Sequence, residues 1–127
     1  MKKYFGLLLT FLVLSSFNTF AGNSSWIAVA TDDKSLTAQV SAVAARCHYF
    51  LLFDDQGNLA DAIENPYLNA AGGAGRQAAD FLAAKNVKVV IAGEFGQNML
   101  DAMRNKEMTS MKFKGSAAEA VKQALKK

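Results

Sequence analysis

One cysteine, one histidine and one proline are all that the 127 residues carry of those three types. A lone cysteine, Cys47, excludes an intrachain disulfide, so the fold must rest on an ordinary apolar core, for which Ala, Val, Leu, Ile and Phe are plentiful. Cys47 and His48 are too few to close a four-ligand tetrahedral metal site by themselves. Charge of one sign is also scarce: 14 Lys and Arg stand against 11 Asp and Glu. No basic groove is suggested, and nucleic acid is excluded as the expected partner. Beyond the first twenty residues no apolar run approaches the ~20 residues that a bilayer span needs. The spacing of glycines matches neither the phosphate-binding loop of nucleotide hydrolases nor the dinucleotide fingerprint. There are no repeats and no low-complexity tract.

What is present begins with an address. Lys2 and Lys3 precede a largely apolar stretch from Tyr4 to Phe20, and Thr19-Phe20-Ala21 places small residues where signal peptidase reads them. The expectation is a signal peptide over 1–21, cut after Ala21, and a single periplasmic or secreted domain over 22–127 with no membrane attachment. Removing Lys2 and Lys3 lowers the 14 basic residues by two, against the same 11 acidic ones, so the net charge falls from +3 to about +1.

The remaining chain alternates period two with period 3.6. Trp26 to Thr31 reads as a buried strand ended by Asp32-Asp33, and 34–46 as a loop with a short helical turn. His48 to Phe53 is an aromatic and aliphatic strand. Asp54 to Asn58 is a hairpin turn, and Leu59 to Glu64 returns. Pro66 then breaks the pattern. A helix over Arg76–Asn86 buries Ala78, Ala79, Leu82 and Ala83, with Asn86 ending it in the left-handed conformation. Val87 to Ala92 is a buried strand. A second helix buries Met99, Leu100 and Met103, and a short strand runs from Thr109 to Phe113. Ser116 and Glu119 form a capping box for a last helix packing Val121, Ala124 and Leu125. This β-β-β-α-β-α-β-α order gives a mixed sheet with helices on its faces.

Two glycine-rich turns point to a ligand. Gly72-Gly73-Ala74-Gly75 precedes one helix, and Gly93-Glu94-Phe95-Gly96 precedes the next. Glycine admits close backbone approach, and a helix N-terminus offers unpaired N–H donors and partial positive charge. Gly72, Gly73, Gly75, Gly93 and Gly96 are therefore candidate ligand-binding residues, with Arg76 next to the first turn as a candidate partner for an anion and Asn98 next to the second, either facing the ligand or capping its helix. Thiolate and imidazole ligate soft metal centres, which makes Cys47 and His48 candidate metal ligands for a pre-assembled cluster that brings its own sulfides; a small, inert Cys47 in the core beside a half-buried His48 is the alternative. Asp32, Asp33, Asp54 and Asp55 could suggest a two-metal nuclease, but Asp32 and Asp54 fall at opposite sheet ends. Met99, Met103, Met108 and Met111 have core spacing rather than copper-site spacing.

The order and spacing of Ile27 to Asp32, Asn65-Pro66, Gly72 to Gly75, Gln77-Ala78-Ala79, Val87 to Ala92 and Gly96-Gln97-Asn98 resembles the dinitrogenase iron–molybdenum cofactor family. The resemblance implies a ribonuclease H-like three-layer α/β/α fold, with a five-stranded mixed sheet of order 3-2-1-4-5 and strand 2 antiparallel. In that topology the ends of strands 1 and 3, the start of strand 2 and both glycine turns meet on one rim, which adds Asp32 and Arg46 to the candidate ligand-binding residues. It further implies a non-enzymatic binding or carrier protein, an iron–sulfur or iron–molybdenum type cluster as its ligand, and a protein partner in metal-cofactor delivery. Family members commonly carry Ser-x-His-Phe-Gly-Arg before strand 2; here Ser41 and Arg46 match, and Val43-Ala44-Ala45 replaces His-Phe-Gly. A metal-free module that binds a small anion or a protein through the same rim is the alternative.

Overall fold

The structure, a computed structural model, describes residues 26–126. The expected signal peptide and its cut after Ala21 lie outside the described residues. Five strands form one sheet in the order β3-β2-β1-β4-β5. They are β1 (Trp26–Thr31), β2 (Tyr49–Phe53), β3 (Leu59–Glu64), β4 (Val87–Ala92) and β5 (Thr109–Lys112). β2 runs antiparallel to both β1 and β3, while β4 is parallel to β1 and to β5. Three helices complete the described chain: α1 (Ala74–Ala84), α2 (Gln97–Asn105) and α3 (Ala117–Lys126).

Alternation along the strands builds the three layers. Ala28, Ala30, Phe50, Leu52, Val90 and Ala92 face α1 and α2, where Ala78, Leu82, Met99 and Met103 meet them. Ile27, Val29, Leu51, Phe53 and Ile91 face the other way, onto Ala117, Ala120 and Val121 of α3. A side-chain period of two sends neighbours to opposite faces, so a strand apolar at every position must be covered on both. β1 is such a strand, central in the sheet and buried at five of its six residues.

Register sets the ends. Thr31 pairs with Tyr49, and Tyr49 with Glu64, so the end of β1, the start of β2 and the end of β3 share one rim. The Asp54–Asn58 hairpin lies at the opposite end, where a Cβ on Gly57 would stand 3.0 Å from the Leu125 side chain. Asp32 and Asp54 are thus separated by the length of a strand.

Some boundaries differ from expectation. His48 precedes β2 instead of opening it. α1 starts two residues early, at Ala74, so Gly75 lies in its first turn. Asn86 follows the helix at φ 66° as expected. In α2, Ala102 joins Met99 and Met103 in the core and Leu100 is half-buried. In α3, the buried stripe is Ala117, Ala120 and Val121, while Leu125 remains 41% exposed. Leu125 lies beside the hairpin instead, its Cδ1 3.0 Å from where a Cβ on Gly57 would stand. The capping box is present, with Ser116 N–H donating to Glu119 Oε1 (3.1 Å) and Glu119 N–H to Ser116 Oγ (3.2 Å).

Candidate functional site

Both α1 and α2 begin at the rim, and neither is capped by a side chain. Gly73 is the N-cap of α1, at φ 72° and ψ 14°, a left-handed conformation that glycine adopts without penalty. Gly96 is the N-cap of α2 at φ −72° and ψ 155°. The first helical hydrogen bonds run from Gln77 N–H to Gly73 O and from Leu100 N–H to Gly96 O, each 3.0 Å. Residues 74–76 and 97–99 therefore carry N–H groups with no helical acceptor. No acidic residue occupies either first turn.

Gly75 brings the two ends together. A Cβ there would sit 2.9 Å from Met99 Cβ and 3.1 Å from its backbone nitrogen. The helices approach so closely because that position has no side chain. Between them opens a cleft of about 270 Å³, lined among others by Val43, Ala45, Arg46, Gly73, Gly75, Gly96, Gln97 and Asn98. Of the residues expected to bind a ligand, Arg46, Gly73, Gly75, Gly96 and Asn98 are thus brought together. Two helix N-termini, each equivalent to roughly half a positive charge, and the cationic Arg46 line the same space.

The cleft walls are held by two side chains that span them. Arg46 Nη1 donates to Leu68 O (3.0 Å) and Ala70 O (2.9 Å), strapping the 65–73 loop to the 3-10 turn at Ala44–Arg46. Buried Asn65 is the second clamp. Its Nδ2 donates to Ala45 O and Cys47 O, both 2.9 Å, its N–H donates to His48 O, and its Oδ1 accepts from Tyr67 N–H. Sequence reasoning used Asn65-Pro66 only as part of a pattern and missed this role. The available signal was a polar residue closing a strand just ahead of a chain-breaking proline.

The other candidates are placed elsewhere. Cys47 is fully buried in the core with Ala44, Phe50 and Ala74. Its Sγ donates to Ala44 O at 3.3 Å. Burial, opposed by hydrogen bonds, pushes the thiol from 9.0 up to about 12. The expected rim ligand is therefore a protonated core thiol, because the 3-10 turn rotates it inward, and its neighbour His48 points outward. His48 is exposed, with Nδ1 3.4 Å from Asp32 Oδ1. Asp32 pairs with this imidazole, and neither lines the cleft. Gly72 lies ahead of the cleft and does not line it. Gly93 is a crossing point: its Cβ would stand 2.9 Å from Ala42 O, and its N–H donates to Ser41 O at 2.8 Å. Among the described residues no three His, Cys, Asp or Glu side chains form a metal-holding group.

A family model described as dinitrogenase iron–molybdenum cofactor matches residues 25–127. No protein of curated function matches the chain. Among solved structures, the apo form of the orange protein from Desulfovibrio gigas superposes with a TM-score of 0.74 at 23% identity, over 80% of this chain and 87% of that one. A provisionally named NifB protein from Thermotoga reaches 0.68 at 27% identity, over 79% and 86%. A provisionally named dinitrogenase from Methanocaldococcus jannaschii gives 0.55 at 12% identity, over 80% and 88%.

Proposed function

The chain belongs to the dinitrogenase iron–molybdenum cofactor family, and on that premise we propose that it is a non-enzymatic binding or carrier protein for a pre-assembled anionic metal–sulfur species. The cargo sits in the cleft between the N-termini of α1 and α2. The observation that carries this reading is the convergence of two uncapped helix starts and Arg46 on one small cavity. Backbone N–H groups and a guanidinium suit an anion, and they hold it without covalent ligation. The donor set does not suit a bare metal ion, because the thiol is buried and protonated and His48 stands apart with Asp32. The metal must therefore arrive with its own sulfides, and a protein partner would deliver or receive it.

A second reading, in which the cleft takes a metal-free anion or a protein segment, draws on the Val43-Ala44-Ala45 stretch. Val43 is 43% exposed at the cleft wall and offers no ligand atom.

Anaerobic titration of the purified protein with tetrathiomolybdate, followed in the visible spectrum, tests the first reading. Saturable uptake should be unchanged in Cys47→Ser and weakened at least about tenfold in Gly96→Asp. The new carboxylate would cap α2 at a position already extended, keeping the fold while consuming donors and adding repulsion. Wild-type binding by Gly96→Asp would remove the cargo from this cleft. Loss of uptake in Cys47→Ser would restore the thiol as a ligand. Preference for inorganic phosphate over thiomolybdate would favour the metal-free reading.

A further inference from the structure

A second cavity, of about 460 Å³, opens at the same rim but on the far side of a wall. The wall is the crossing of 41–44 with 93–94, fixed by Gly93 N–H donating to Ser41 O (2.8 Å) and Ala44 N–H to Glu94 O (3.0 Å). Its position follows from topology. β4 leads into α2 on one sheet face, and β5 leads into α3 on the other. Ala92 and Lys112 are the last paired residues of these adjacent parallel strands, and Phe113 N–H still donates to Ala92 O at 3.0 Å. Beyond that point the two connections part. In open α/β sheets the crevice where neighbouring connections leave on opposite faces is where ligands bind. The volume lies in the usual range for small-molecule sites, roughly 300–1,000 Å³.

The lining states the ligand's chemistry. Val40 and half-buried Phe113 supply an apolar wall, and Gly93 and Gly115 complete the lining without side chains. Glu94 is already paired with Lys112, at 3.3 Å. Lys114 has no ion-pair partner among the described residues, so it is the uncompensated charge at this cavity. We propose that this crevice is a second binding site, for a small organic monoanion with an aromatic or branched apolar body. The body lies against Val40 and Phe113, and the anionic end meets Lys114. Gly93, expected to touch a ligand at the glycine-turn cleft, instead lines this site.

Phenylacetate is the probe, with phenylacetamide as its neutral counterpart and amide NMR of the purified protein as the readout. Phenylacetate should produce saturable shifts at Gly93, Phe113 and Gly115, and phenylacetamide should bind about tenfold more weakly, the loss of one charge-assisted contact. Lys114→Gln should weaken phenylacetate by a similar factor, while Lys122→Gln on α3 should leave it unchanged. Gly96→Asp should also leave it unchanged, which separates this site from the anion cleft. The proposal is overturned if these amides show no saturable shift, if Lys114→Gln binds like wild type, or if Gly96→Asp abolishes the shifts.

Discussion

At the scale of single residues, Cys47 carries the sharpest consequence. Its thiol ionises near 9.0 in the unfolded chain and near 12 in the fold, because burial penalises the thiolate. The folded state thus binds the proton more tightly. That contribution is complete below about pH 9 and is lost as the pH rises from there towards 12. Each pH unit in that window should remove about 1.4 kcal/mol from the stability of the wild type relative to Cys47→Ala, which lacks the group. Urea unfolding of both proteins at pH 8, 9.5 and 10.5 reads the difference, and parallel pH profiles would contradict the buried, protonated thiol. The sequence left Cys47 open between a soft-metal ligand and a buried, inert thiol, because residue type and neighbour do not fix orientation. Orientation came from the 3-10 turn at Ala44–Arg46 and from Asn65, twenty residues away from Ala45. Neither appears in a local pattern.

At the scale of elements, β1, β3 and β4 were legible to the residue. Each is a period-two or all-apolar run closed by a strong stop: Asp32-Asp33, Asn65-Pro66 and Gly93. The start of α1 was not, since Ala74 and Gly75 look like the tail of a turn by propensity. Tertiary contact decides there. Two opposing effects meet at Gly75. Helix propensity alone would make Gly75→Ala stabilising by about 1 kcal/mol. The added methyl, however, meets Met99 Cβ at 2.9 Å and the Met99 backbone nitrogen at 3.1 Å, and backbone cannot swing aside. Overpacking of this kind costs about 1–3 kcal/mol. The net expectation is a protein destabilised by up to about 2 kcal/mol, with its two helix starts pushed apart and its hold on tetrathiomolybdate weakened. Chemical denaturation and the anaerobic titration measure the two effects on the same variant. A raised midpoint would mean that α2 yields by a few tenths of an ångström.

At the scale of the whole molecule, topology explains why distant residues meet. Arg46, Gly73, Gly96 and Asn98 converge because the strands they flank all present the same rim, and that rim was readable from the meander followed by parallel crossovers. The wall dividing the rim into two cavities was not readable, because the 34–43 segment has no periodic pattern and its path is set by bonds to β1 and to Gly93. The same scale bears on where the protein works. We propose that it is exported, on the strength of Lys2, Lys3, the apolar stretch to Phe20 and the small residues around Ala21. An oxidising compartment suits a chain whose one thiol is buried, since no disulfide can form within it and none is offered to a neighbour. Intact-mass measurement of protein from the cell envelope should therefore find Gly22 as the first residue, and non-reducing electrophoresis should show no disulfide-linked dimer. A chain retaining Met1 in the membrane fraction would overturn the cut after Ala21 while leaving the cleft untouched, because every residue of the cleft lies after Ser41.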